Sequence, residues 1–123
     1  MENLELVNST SLVKKPSITY CNLTPHVVNI LNKRNGQIMA IPPSGVVARV
    51  STCFEMDYEF DGIEIGHTKY GEVTGLLEPV EGTLYIVSLV LLKAAPDRKD
   101  LVVPNDLVRD EKGMVLYARS FTR

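Results

Sequence analysis

Tryptophan is absent from this chain of 123 residues, histidine and cysteine occur only twice each, and neither sign of charge is in strong excess. Each shortage excludes a class of protein. With 13 Lys and Arg against 15 Asp and Glu the formal charge is −2, so a sequence-independent grip on DNA or RNA polymers, which needs many uncompensated cations, is not expected. The longest apolar stretch, Leu84 to Leu92, is broken by Ser88 and followed by Lys93, well short of the ~20 residues that cross a bilayer. The opening MENLELVNST has neither a basic start nor an apolar centre, and no secretory signal is read there. Cys21 and Cys53 are therefore expected as reduced thiols in a cytosolic protein. An apolar fraction of 45% and a charged fraction of 23% suit a single globular domain large enough to bury a core without metal or disulfide staples.

Turn signals dominate the organisation. Residues 1–16 carry weak periodicity and end in Lys14-Lys15-Pro16, which reads as a flexible leader or arm before one domain over 17–123. From Ser17 onward, short segments rich in Val, Ile and Tyr alternate with turns, favouring antiparallel strands. Asn35-Gly36 predicts a two-residue hairpin turn that pairs Arg34 with Gln37 and sets Val28, Ile30 and Asn32 opposite Pro43, Ile41 and Met39. Pro42-Pro43-Ser44-Gly45 ends that strand, and Val46 to Val50 is expected to return. In Glu55 to Asp61, acids alternate with apolar residues, predicting a strand with one wet and one buried face. The Asp61-Gly62 turn would then pair Phe60 with Ile63 and Tyr58 with Ile65. Leu84 to Val87 reads as a central strand, and Leu89 to Ala95 as a short helix ended by Pro96. A last hairpin is expected from Leu107 to Phe121 around Glu111-Lys112-Gly113. The predicted class is α+β, mainly antiparallel β-hairpins with one or two short helices.

The C-terminal strand carries the densest chemistry. Alternate residues place Val115, Tyr117, Arg119, Phe121 and Arg123 on one face, and the hairpin register adds Arg109 to it. Guanidinium forks suit phosphates and aromatic rings stack on bases, so this mixture fits a nucleotide ligand. On the residues alone, a solvated edge strand whose charges prevent aggregation is the favoured reading of the two. Glu55, Asp57, Glu59 and Glu64 form an acidic set, but alternation spreads them about 7 Å apart along one face, too far for one ion. His26 and His67 have no ligand at metal spacing beside them. No nucleophile elbow, P-loop or dinucleotide fingerprint is present, so no catalytic residue, metal or cofactor is predicted and the chain is read as a non-enzyme.

Four stretches carry a resemblance: Asn22-Leu23-Thr24-Pro25-His26, then Ile41-Pro42-Pro43-Ser44-Gly45 with Arg49 beyond, then Glu78 to Ser88, and Leu101 to Asp110. Over roughly residues 20–123 the chain resembles the first-described Thoeris anti-defence family of phage proteins, sponges for cyclic nucleotide signals. The resemblance implies binding, without cleavage, of a cyclic ADP-ribose isomer (glycocyclic ADP-ribose) made by a bacterial TIR-domain enzyme, in the cytoplasm of the infected host. It implies a homo-oligomer built from dimers with the pocket at a subunit interface, and cyclic oligonucleotides at separate sites in some higher oligomers. Arg109 and Arg123 fit the phosphate-gripping arginines. Phe121 and Tyr117 are the stacking candidates from the face argument, with Arg119, Asn22, His26 and Arg49 completing the candidate set. The rival readings are a phage structural or adaptor protein without a nucleotide ligand, and a nucleotide hydrolase or cyclase with a metal on the acidic hairpin.

Overall fold

The computed structural model describes residues 4–7, 11–14 and 17–123. Of the expected leader, only Leu4–Val7 (β1) and Ser11–Lys14 (β2) are described, and they form an antiparallel pair. The rest of that leader lies outside the described residues.

Six strands form the central sheet. They are β3 (Thr19–Asn22), β4 (Val28–Asn32), β5 (Gln37–Ile41), β8 (Thr83–Ile86), β9 (Leu101–Arg109) and β10 (Val115–Thr122), in the order β3-β8-β9-β10-β4-β5. The described residues are mostly β with one short helix. Its hairpins β4–β5 and β9–β10 are antiparallel, as expected, but the sheet as a whole is mixed. The pairs β3–β8, β8–β9 and β10–β4 run parallel. Strand β8 passes to β9 through α1 (Leu89–Ala94), a crossover long enough to bring a parallel neighbour back into register. Ser88 caps the helix by accepting from the Leu91 amide at 3.2 Å, and Pro96 follows its end, so the break between strand and helix falls where the sequence placed it.

The sheet curls until its outer strands touch. Asn22, at the end of β3, bridges Pro43, just past β5, and the Ser44 amide donates to the Asn22 carbonyl at 2.9 Å. The Asn22 side chain reinforces this seam. Its Nδ2 donates to the carbonyls of Ile41 (3.0 Å) and His26 (2.7 Å), while Oδ1 accepts from the Thr24 amide and hydroxyl. Only 1% of the residue is exposed. A buried amide must place its polar atoms, and here they hold a nearly closed barrel shut.

Alternation along the strands then sorts the core into two layers. Val28, Ile30, Ile41, Ile86, Val102 and Ala118 fill the inside, with Leu84 and Phe121 beside them. On the outside Tyr85, Val87, Leu101 and Val103 pack under α1 with Leu23, Ala48 and Leu91. Arg98 lies over the Tyr85 ring at 5.8 Å and forms a two-pronged pair with Asp100 at 2.8 Å. It also donates to the Leu77 carbonyl, tying two loops to this outer layer.

Two long strands, β6 (Arg49–Phe60) and β7 (Ile63–Thr74), make a separate antiparallel ribbon. Asp61 and Gly62 both take positive φ, the requirement of a two-residue hairpin turn, and Phe60 pairs with Ile63 and Tyr58 with Ile65 as expected. Three expectations are corrected here. The apolar face of this hairpin is not buried: Tyr58, Phe60, Ile63 and Ile65 are all exposed, because only the base of the ribbon, at Val50 and Val73, meets the core. The expected return strand from Val46 begins only at Arg49. Gly45, at φ 99°, turns the chain away from β5, and the Ala48 amide bonds to the Leu23 carbonyl instead. In the β4–β5 hairpin, Asn32 rather than Arg34 faces Gln37, leaving a four-residue loop. Asn32 and Asn35 side chains accept from the Arg34 and Gln37 amides and stabilise that longer turn. The slip is two residues, so every side chain keeps its predicted face.

Candidate functional site

Strand β10 meets β4 at one residue pair, Ala118 with Ile30. On either side of that pair the two strands part and a cleft opens. The first cleft, about 240 Å³, is lined by apolar residues including Val27, Leu107, Val115, Leu116 and Tyr117. The second, about 490 Å³, is a mouth of the barrel, lined by Tyr20, Ile30, Leu31, Asn32, Lys33, Met39, Ser120 and Phe121. Its size lies within the range of small-molecule sites, and barrel mouths are common places for them.

The chemistry of the second cleft is selective. The Tyr20 and Phe121 rings are 5.3 Å apart at their centroids with a 36° tilt, an aromatic wall on which a planar base can stack. Among the described residues Lys33 is the only charged one in the lining and no carboxylate joins it, so an anionic group meets attraction there. Asn32 and Ser120 add amide and hydroxyl groups suited to sugar hydroxyls. Ser120 Oγ already accepts from Asn105 Nδ2 at 3.0 Å, which leaves its hydroxyl proton to donate.

The arginine–aromatic face expected along β10 is split. Val115 pairs with Arg109 but Tyr117 pairs with Val108, so Leu116 is an extra residue in the ladder. A bulge of one residue reverses which side the following residues occupy. Arg109 and Val115 thus fall on the side of Ala118, opposite Tyr117, and Phe121 returns to the inner layer with Ala118. The edge-strand reading of β10 is also corrected, since β9 and β4 flank it.

The candidate residues are dispersed accordingly. Arg109 sits beside the β9–β10 turn and donates to the Gly113 carbonyl at 2.9 Å. Arg123 lies eight residues beyond Val115, about 26 Å along the strand. It reaches the Lys99 carbonyl and a third cleft of about 270 Å³ that it shares with Arg98, Lys99, Leu92, Ala95 and Pro96. Arg119 pairs with Asp106 at 3.2 Å. Tyr117 lines the apolar cleft and Phe121 the barrel mouth. Asn22 is consumed by the seam and has no polar atom free for a ligand. His26 is exposed, with its carbonyl accepting from Asn22, and Arg49 is an exposed first residue of β6. No family model, curated protein or solved structure matches this chain.

Tyr20 and Lys33 were missed from the sequence. Strand alternation between Tyr20 and Asn22 was available, but the contact between β3 and β10 exists only because the sheet curls. Among the described residues no three His, Cys, Asp or Glu side chains gather at metal-binding distance. On the ribbon, Lys69 lies 3.6 Å from Glu55, and His67 Nδ1 is 3.0 Å from Asp57. The hydrogen bond and charge of Asp57 raise the His67 pKa above its ordinary 6.5. The guanidinium of Arg98 holds Asp100 below the usual carboxylate value.

Proposed function

We propose that this protein is a sponge: it binds and retains a cyclic ADP-ribose isomer such as glycocyclic ADP-ribose without cleaving it, and so blocks Thoeris immunity from the cytoplasm of an infected bacterium. The observation that carries this reading is the barrel mouth, where the Tyr20–Phe121 wall stands with Lys33 and no acid among the described residues. A purine stacks on the rings, a phosphate meets Lys33, and the ribose hydroxyls meet Asn32 and Ser120. Retention needs neither a nucleophile nor a general base, only slow release. Arg123, two residues past Phe121 at the same end of β10, supplies a second cation on leaving the Lys99 carbonyl to which it donates. Arg109 lies at the other end and reaches the same ligand as the contribution of another copy in the oligomer.

The deciding experiment loads the protein with glycocyclic ADP-ribose, removes free ligand, heats the complex and weighs what is released. Intact ligand supports the sponge. An altered mass makes the protein a hydrolase or cyclase, and no retained ligand leaves the adaptor reading. Lys33→Ala and Arg123→Ala should each weaken binding in calorimetry, and Arg109→Ala should do so as well if two copies share one ligand.

A further inference from the structure

Among the described residues, two other than glycine take a positive φ, Asp61 at 50° and Asp106 at 56°. Asp61 belongs to the tight turn of the ribbon, which requires it. Asp106 is not in a turn: it lies inside β9, three residues before the strand ends at Arg109. A left-handed backbone is unfavourable for any residue with a Cβ, and least so for Asp and Asn. Where one persists within a strand, the surrounding structure must hold it there.

The facing of the two neighbouring strands shows what it does. In β9, Val102 belongs to the inner layer and Val103 to the outer. Strict alternation from Val102 would send Leu107 outward, yet Leu107 pairs with Ala118 of the inner layer. In β10, Ala118 and Phe121 are three residues apart and both pack inward, which alternation also forbids. Both strands therefore reverse their facing between the Leu107–Ala118 and Pro104–Phe121 pairs, where the Asp106–Arg119 rung is missing from the ladder. Leu116 in β10, and Asp57 in β6 where the apolar stripe of the ribbon ends, reverse a face by adding a residue to one strand. Here nothing is added, because Leu107–Ala118 and Asn105–Ser120 keep the same offset. The left-handed backbone of Asp106 does by rotation what a bulge does by insertion.

Side chains pin the rung on both strands. Asp106 Oδ1 accepts from Arg119 Nη1 at 3.2 Å, and Asn105 Nδ2 donates to Ser120 Oγ at 3.0 Å. Beyond it, Ser120 and Phe121 enter the lining of the barrel mouth, and the Phe121 ring comes to 5.3 Å from Tyr20. Asp106 itself lines no part of that mouth. With Asp106 in ordinary strand geometry, Phe121 would point to the outer side and Tyr20 would stand alone. We propose that Asp106 is a positioning residue of the barrel mouth: its left-handed backbone turns Phe121 inward and so builds the aromatic wall against Tyr20. The role lies in the backbone, since the ion pair with Arg119 is half exposed on both sides and contributes little. The placing of the wall rests on the fold alone; its effect on affinity rests on the reading of the mouth as a nucleotide site.

NMR on the full chain without ligand reads the wall through contacts between the Tyr20 and Phe121 ring protons. The wild type should show them together with the strong amide–Hα contact within Asp106 that marks a positive φ. Asp106→Gly and Asp106→Asn accept the left-handed region and should keep the ring contacts. Asp106→Val, branched at Cβ, does not accept it and should lose them. In calorimetry with glycocyclic ADP-ribose the valine variant should bind about 5- to 150-fold more weakly, the loss of one stacking ring. A wild type that lacks either contact overturns the proposal, as do ring contacts that survive Asp106→Val. So does their loss in Asp106→Asn, which would place the role in the ion pair. Should the valine variant not fold, the wild-type and asparagine spectra decide alone. If the ring contacts follow the expected pattern while the wild type binds no nucleotide, the positioning role stands and the sponge reading falls.

Discussion

Replacing Tyr20 with leucine removes half of the aromatic wall while keeping an apolar side chain on β3. Tyr20 is 38% exposed, so stability should change little. Stacking of a base on an aromatic side chain contributes about 1–3 kcal/mol by truncation. At 1.4 kcal/mol per tenfold, Tyr20→Leu should raise the Kd for glycocyclic ADP-ribose by about 5- to 150-fold. Because Phe121 remains, the lower half of that range is expected. Tyr117→Leu is the internal control: it alters the apolar cleft on the far side of the Ala118–Ile30 pair and should leave the Kd within about twofold. Titration calorimetry on wild type and both variants, with urea melts to confirm equal folding, gives the comparison. Equal losses for Tyr20 and Tyr117, or a larger one for Tyr117, would refute placement of the ligand at the barrel mouth.

Other expectations follow from the seams and ion pairs. Asn22→Ala strips two donors and an acceptor from a buried site and leaves the Ile41 and His26 carbonyls without partners, so urea melts should show a loss of about 2–4 kcal/mol. Asp100→Asn should cost about 1–2 kcal/mol at neutral pH, given a partly exposed two-pronged pair. Because the folded Asp100 is held below its ordinary 3.8, that stabilisation is full above this value and lost as pH falls through the folded one; wild type and variant should converge in acid. For His67 the sign reverses. Its pair with Asp57 stabilises the ribbon below pH 6.5 and fades as pH rises through the higher folded value. An NMR titration of the His67 ring should show its midpoint fall in Asp57→Asn; an unmoved midpoint would remove the pair from solution.

Local chemistry was legible where a residue type forces a geometry. Asp61-Gly62 fixed both the turn and the pairing of Phe60 with Ile63, and Ser88 with Pro96 bounded α1 on either side. The slip of the β4–β5 hairpin was invisible but harmless, since two residues preserve facing. Single-residue bulges were neither visible nor harmless. Leu116 and Asp57 each reverse a face, and so Arg109 parted from Tyr117 and the ribbon's apolar stripe was cut short. Alternation in Glu55 to Asp61 reported an amphipathic strand correctly but carried no information on what covers its greasy side. Tyr20 and Lys33 joined the candidate site through curling of the sheet, which depends on Asn22 meeting Pro43 across 21 residues of chain and leaves no periodic trace.

The way β4 and β5 are attached has a mechanical consequence. On one flank they are joined to the cylinder by the Ala118–Ile30 pair and on the other by the Asn22–Pro43 bridge with its side-chain clasp. Two thin welds border a panel whose own rungs, from Val28–Ile41 to Asn32–Gln37, are complete. Such a panel can swing as one piece at the expense of few backbone bonds, widening the entrance beside Tyr20 while the rest of the cylinder keeps its shape. A captive molecule would then leave at the pace of that door.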